Sequence, residues 1–467
     1  MSRIKQLAFN FKQKLFKIYW LTSVVIKSIL TVLKSIFILS FPGFARQLNP
    51  IYTQKSNPED RNVLVVSYYS PPYRSSYGTQ RVTKYCKYLN DFGWKVTFLT
   101  TQPSRDYQID NLGDRLDPAI DVVRLAGLID QPLTQKGILP PDDFILWVDE
   151  AVEGIRRILE SKKIAVIVAT APPYSNMLAA AICTVRSGVP LVLDFRDPWS
   201  RVDAGWVMKN PVSKRVSSFL EKLVLGVSAR IIMTDEKRYI DDYFVESSER
   251  ISKKVISITN GYDETDFNCL AGSEEVTASN NRFTISYVGR FYSEQNFKTI
   301  MKVMDVWAEK YPEDMQKVIF DYAGGDGQFI KAAHASFCFN DHGYVSHQES
   351  IRLRHACDVQ LFAMPPEYKA HLFSGKIFEM IRGARPILAL TRTDGAVARL
   401  LASTRTGLTF SQDDIEHAAM VLKDWFDEWQ RTGRVAAQGD AVAIASYSRE
   451  NLARQLSGVL DDVRLGK

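Results

Sequence analysis

The chain has 467 residues, 46% of them hydrophobic and 24% charged, which suffices for two or three domains with full cores and excludes disordered and collagen-like classes. Five scattered cysteines with no Cys-x-x-Cys pair argue against a disulfide framework or a structural zinc and for a reducing compartment. The net charge of +6 sits in residues 1–58, which hold nine basic residues and no acid; the remainder is net negative and offers no basic footprint for nucleic acid.

Residues 1–58 read as an arm. Within it, "WLTSVVIKSILTVLKSIFILSF" (residues 20–41) is long enough to span a bilayer, but Lys27 and Lys34 fall inside it. At 100° per residue, Ser23, Lys27, Ser28, Thr31, Lys34 and Ser35 share one side. Val25, Ile26, Ile29, Leu30, Val32, Leu33, Ile36 and Phe37 share the other. The pattern predicts a basic amphipathic helix suited to lying in the interface of an anionic membrane; a true span and a core or partner-binding helix are the alternatives. No small-residue cleavage site follows, which speaks against a cleaved signal peptide.

After the arm, "NVLVVSYYSPP" is a buried strand and a Pro-rich loop, "RVTKYCKYLNDFGW" a helix and "KVTFLTT" a second strand. The alternation recurs through "IAVIVAT", "PLVLDF" and "ARIIMTD", which predicts a parallel, doubly wound sheet with chemistry at the strands' carboxyl ends. "NCLAGSEEVTASNNR" (residues 268–282) reads as a linker. Strand–helix alternation then restarts with "FTISYVGR", "KVIFDYAGG", "DHGYV", "DVQLFAM" and "PILAL", and the chain closes on the amphipathic "SRENLARQLSGVLDDV". The predicted organisation is an arm over 1–58, a domain over 59–267, the linker over 268–282, a second domain over 283–440, and a C-terminal helix in 441–467 that packs back on the first domain. Substrates are expected in a cleft between the two α/β halves.

Seven pieces then recur in one family's order: "SYYSPPYRSSYGTQRVTKYCKYL", "TAPPYS", "LDFRDPW", "ITNGYD", "YVGRFY", "GYVSHQESIRLRHACDV" and "SGKIFEMIRGARPILAL". Over roughly residues 62–462 the chain resembles the retaining family-four glycosyltransferases of the GT-B fold, and in particular a bacterial subgroup with a Phe-Arg-Asp-Pro-Trp motif. The resemblance implies two Rossmann-like domains facing across a cleft. It also implies metal-independent transfer, with retention, of a sugar from a nucleoside diphosphate sugar. With the basic arm, it points to a glycan or lipid-linked acceptor in capsule, O-antigen or exopolysaccharide synthesis at the cytoplasmic face of the inner membrane. GT-B folds also host nucleotide-sugar epimerases and catalytically silent modules, which stay open as alternatives.

The donor site is expected at "SGKIFEMI". Ser374 is a helix N-cap, Gly375 and Ser374 offer backbone N–H groups to phosphate, and Lys376 adds positive charge there. Glu379 cannot serve an anion, but a carboxylate can accept two hydrogen bonds from a diol, and in the resembling family it holds the ribose. A surface Lys376–Glu379 ion pair is the structural alternative. The family's second Glu, eight residues earlier, is His371 here. Gly289 permits close backbone approach and Arg290 can fork onto phosphate oxygens, while Gln295 stands where many relatives carry a Lys. Tyr344, in "GYVSH", is expected near the base. For the acceptor end, Asp194, Arg196 and Asp197 of "LDFRDPW" are the catalytic candidates, and Gly78 and Arg81 the acceptor-binding ones. The six histidines all follow residue 333 without metal-ligand spacing, so no metal and no other cofactor is expected.

Overall fold

The computed structural model describes residues 22–54, 57, 59–71, 78–102, 116–126, 139–200, 210–236, 249–270, 282–291, 293–325, 337–365, 367–368, 370–383 and 385–467. The chain divides into two units: Met1–Ile258 with Arg454–Lys467, and Thr259–Ala453.

The first unit is built on seven strands: β1 Asn62–Val66, β2 Lys95–Thr101, β3 Asp121–Leu125, β4 Val166–Ala171, β5 Leu191–Phe195, β6 Arg230–Met233 and β7 Val255–Ser257. All pair in parallel, in the order β3-β2-β1-β4-β5-β6-β7. The central strands are largely apolar and buried along almost their whole length, as strands covered by helices on both faces must be. One covering helix, Trp147–Ser161, buries Val148, Ala151, Val152, Ile155, Ile158 and Leu159 at helical spacing. Chain order reverses between β1 and β4, so the carboxyl ends of these strands and of the adjoining β5 and β6 frame the place where such a sheet receives ligands.

The N-terminal segment belongs to this unit. A helix over Thr22–Ser40 buries Val32 and Leu39 in the unit's core, and Thr31 Oγ1 and Lys34 Nζ bond Asp149, 2.7 and 2.9 Å away. Ile51 N donates to Arg186 O, and the Arg186 side chain donates through Nε to Asn49 O. The C-terminal helix Arg449–Arg464 also reaches this unit: Trp94 Nε1 donates to Ser457 Oγ at 3.1 Å, and Arg61 pairs with Asp461 at 2.9 Å.

The second unit has six parallel strands: β8 Phe283–Val288, β9 Val318–Ala323, β10 Cys338–Asp341, β11 Val359–Ala363, β12 Ile387–Leu390 and β13 Gly407–Phe410. Their order is β10-β9-β8-β11-β12-β13, with the reversal between β8 and β11. One face carries edge-to-face packing of Phe283 on Trp307 and Phe426, with centroids 6.1 and 5.5 Å apart. Such pairs contribute about 0.5–1.5 kcal/mol each beyond their buried area. The other face packs Phe362, Ile377, Phe378, Ile387 and Leu400. The boundary between units falls at Ile258, short of the expected residue 267, because Tyr262 and Phe267 pack into this second face and Glu264 pairs with Arg382. Most of the expected linker, residues 271–281, lies outside the described residues.

Candidate functional site

Two clusters of polar groups lie at the carboxyl ends of the two sheets, one in each unit. In the second unit, β8 ends at Val288 and the chain turns at Gly289, whose φ of +114° lies in the region that favours glycine. A Cβ placed there would meet Lys376 Cδ at 3.4 Å and Nζ at 3.6 Å. Gly289 therefore lets the turn come against the first residues of the helix Gly375–Arg382, which follows β11. Lys376 is buried, its Nζ donating to Tyr287 Oη at 2.9 Å while lying 4.3 Å from that ring's centroid. Tyr287 is itself held in a stack with Phe291 and Tyr322, so the lysine has a rigid aromatic floor. Arg290 is exposed at the tip of the same turn. Gly324, after β9, sits so close to Gly289 O that a Cβ would approach it to 2.9 Å, which makes the "AGG" turn a packing feature of this end of the sheet.

Ser374 occupies the N-cap position with extended backbone, but its side chain makes no cap bond. The first turn of the helix therefore keeps backbone donors that its own cap does not satisfy, which is the condition under which a helix N-terminus receives phosphate.

The expected alternative of a Lys376–Glu379 ion pair gives way to a different arrangement. Glu379 Oε1 takes a hydrogen bond from His347 Nε2 at 2.9 Å, and Oε2 pairs with Arg354 Nη1. His347 and Arg354 are seven residues apart on the helix His347–Ala356, two turns along one face. Burial pushes the Glu379 carboxyl up, but the Arg354 charge and the His347 bond outweigh it and hold the group at about 2. The bond to Glu379 raises His347 in turn, against the opposing effect of burial. Each Glu379 oxygen keeps acceptor capacity for a further donor. Neither partner of Glu379 was singled out in the sequence; the i, i+7 spacing of a His and an Arg before "ACDV" was the available signal. Tyr344 is exposed in the turn before this helix, and His371 is half-buried in the loop before Ser374.

In the first unit the picture shifts for two residues. Arg81, expected to meet an acceptor, and Asp194, expected to take part in catalysis, are 1% and 2% exposed and bonded to each other at 2.9 Å. Arg81 also donates to Ile258 O, and Asp194 accepts from Thr170 Oγ1. The pair ties the helix Gly78–Asp91 to β5 and to the end of the sheet, so it serves as framework beneath the site. Gly78 opens that helix, and the preceding residues 72–77 lie outside the described residues.

Arg196 and Asp197 follow β5 directly, half-buried. Their loop is pinned on both sides: Arg196 N donates to Ala171 O, and Thr234 Oγ1 donates to Arg196 O at 2.7 Å. Trp199 anchors its far end, stacked on Tyr174 at 4.9 Å and donating to Ser217 Oγ at 2.8 Å. Beside this loop, at the end of β6, lies Asp235, 7% exposed and not foreseen from the sequence. Burial, then the negative charges of Asp197 and Glu236, push its carboxyl up to about 7. Burial also raises Asp197, with Arg196 opposing. The structure thus gathers Arg196, Asp197 and Asp235, two acids and one base, over the Arg81–Asp194 floor. Among the described residues, no group of three or more His, Cys, Asp or Glu side chains could hold a metal ion.

Residues 78–246 match the family model described as a glycosyl transferase 4-like domain. No curated protein matches the chain. Among solved structures, sucrose-phosphate synthase from Thermosynechococcus elongatus is similar at 14% identity and TM-score 0.58, covering 87% of this chain and 100% of its own. Anabaena HepE in complex with UDP-glucose is similar at 16% identity and TM-score 0.53, covering 85% and 99%. The trehalose 6-phosphate synthase of Burkholderia multivorans follows at 12% identity and TM-score 0.56, covering 87% and 97%. These likenesses speak to architecture: the two parallel-sheet α/β units, with reversal points at β1/β4 and β8/β11, have the GT-B fold.

Proposed function

We propose that the chain is a glycosyltransferase that moves a sugar from a nucleoside diphosphate sugar to a glycan or lipid-linked acceptor near a membrane, in the synthesis of a cell-surface polysaccharide. The observation that carries this reading is the cradle around Lys376. A buried lysine on an aromatic floor, a glycine at positive φ and a helix start without a side-chain cap meet at the reversal point of the second unit's sheet. That combination fits a diphosphate. Glu379, ionised throughout the physiological range and held by Arg354 and His347, is placed one turn further along the same helix, where it can accept hydrogen bonds from the two hydroxyls of a ribose. The glycosyl transferase 4-like match over residues 78–246 and the UDP-glucose held by HepE support the same assignment.

In this reading the second unit binds the donor, and Lys376, Arg290 and the helix start stabilise the charge that develops on the leaving diphosphate, without a metal. The first unit serves the acceptor, with Arg196, Asp197 and Asp235 orienting its hydroxyl. Transfer proceeds with retention, as in the family the sequence resembles, and the protein works at the cytoplasmic face of the inner membrane.

The test is to incubate purified full-length protein with UDP-, GDP- and ADP-sugars and follow the products. Slow release of nucleoside diphosphate from one donor, abolished by Glu379→Ala, is the expected outcome. Isomerisation of the nucleotide sugar would instead make the protein an epimerase, and a failure to bind any nucleotide sugar would make it a silent module.

A further inference from the structure

The helix Thr22–Ser40 sits on the first unit the opposite way round from a soluble amphipathic helix. Its small hydroxyl residues face the protein: Ser28, Thr31 and Ser35 are 2, 4 and 0% exposed. Its large apolar residues face outward: Val25, Ile26, Ile29, Leu30, Leu33 and Phe37 are all exposed, Leu30 by 59%. At 100° per residue these six fall within one arc, and the buried set, with Val24, Val32 and Leu39, falls on the arc opposite. The apolar strip does not end with the helix. Phe41, Phe44 and Leu48 are exposed on the next turns, and Phe37 lies 5.5 and 6.0 Å from Phe41 and Phe44. Lys27 and Lys34 border the strip on one side.

We propose that this strip is a docking surface for an anionic lipid bilayer, into which the helix sinks sideways to the depth of one leaflet's interface, carrying the first unit with it. The charge of the segment selects the occupant. Residues 1–58 hold nine basic residues and no acid, which complements an anionic leaflet. A second copy of the same face would instead bring two basic segments together. The packing also separates this mode from a transmembrane one. The helix packs on the first unit through Val32, Ile36, Ile38 and Leu39 and is bonded to Asp149 by Thr31 and Lys34, while Val24, Ser28 and Ser35 on the same side are also buried. A helix seated lengthwise on a water-soluble sheet domain cannot be surrounded by hydrocarbon. In this mode the hydroxyls face the protein, the lysines mark the water line, and the apolar arc meets lipid. This inference deepens the membrane-proximal part of the proposed function and is independent of the chemistry proposed for the second unit.

The experiment is flotation of full-length protein, diluted out of detergent, with liposomes of phosphatidylcholine alone or containing phosphatidylglycerol. Wild type is expected to float with both, more with the anionic lipid, and less of it in high salt. The double substitution Ile29→Glu with Leu33→Glu should weaken binding by at least about tenfold, while the melting temperature and nucleotide binding stay unchanged. Undiminished flotation of the double variant would overturn the proposal. So would a dimer in light scattering that the same variant dissolves, since a second copy would then cover the face. Labelling of Ser2→Cys, or of the exposed native Cys338, from outside intact cells by an impermeant maleimide would establish a span instead. Nucleotide binding by the variant, measured in parallel, keeps failure here distinct from failure of the proposed transferase activity.

Discussion

Lys376 is the residue on which the donor assignment turns. A buried ammonium is costly unless polar or π partners replace its water, and here Tyr287 supplies a hydroxyl and a ring face. Lys376→Met keeps the stem's volume and removes the charge. If the ammonium also serves a diphosphate, the lost charge-assisted bond of about 1.5–3 kcal/mol weakens nucleoside diphosphate affinity roughly 10- to 100-fold. Calorimetric titration of the variant checks this, and unchanged affinity would move the phosphate elsewhere. Asp235 makes a prediction in pH. Its carboxyl is raised to about 7, against about 3.9 in an unfolded chain. Between those values the native state holds a proton that the unfolded state has released, so stability falls as pH rises through that window. Asp235→Asn should therefore match wild type in melting temperature near pH 4 and exceed it at pH 8; parallel profiles would refute the assignment. Glu379 runs the other way. Held at about 2, its contribution is complete above the unfolded carboxylate range and lost as pH falls through about 2. The raised His347 adds stability that is present below the ordinary imidazole range and lost as pH rises through its own elevated value. Removing the carboxylate strands Arg354, so Glu379→Gln should cost about 3 kcal/mol near pH 6, where both contributions operate, and progressively less toward pH 2. Denaturant melts across that range would show the convergence.

At the scale of elements, strands and turns were legible because their chemistry is local. "NVLVV", "VIVATA" and "LVLDF" could only be strands covered on both faces, and "YVGR" could only be a strand ending in a turn that needs glycine. The helix Gly375–Arg382 was found with its Ser374 start in the right place, though the serine's side chain leaves the cap unmade. What escaped were partnerships made across the sheet. Nothing within "SGKIFEMI" announces that Glu379 is held by a helix some 30 residues earlier. Nor does "LDFRDPW" reveal that Asp194 is consumed by Arg81, 113 residues away. The N-terminal helix shows the same limit. Its periodicity gave two faces, but which face meets the protein is set by partners on other elements, among them the core that receives Val32 and Leu39 and the carboxylate of Asp149. Gly289 offers an element-scale test. A side chain there would be strained at φ +114° and would crowd Lys376, so Gly289→Ala should lower stability by about 1–3 kcal/mol and reduce nucleotide affinity together. Loss of stability without loss of affinity would separate the turn from the site.

For the whole molecule, the C-terminal helix is the feature the periodicity described least. Its apolar face was evident, but its polar contacts were not: Ser457 receives the Trp94 indole, Asp461 pairs with Arg61, and the Arg454 guanidinium lies over the Phe92 ring. The second unit, Thr259–Ala453, is thus written into the middle of the first, whose sequence resumes at Arg454 and runs to Lys467. Deleting residues 454–467 should lower the melting temperature of the first unit while leaving intact the nucleotide binding proposed for the second; calorimetry with and without nucleotide distinguishes the two. The interruption also orders events during synthesis. A ribosome must complete the entire second unit before the residues that seal Trp94 emerge. The second unit can therefore reach its native state on a growing chain while the first waits, its indole and the ring of Phe92 uncovered, until residues 454–467 emerge.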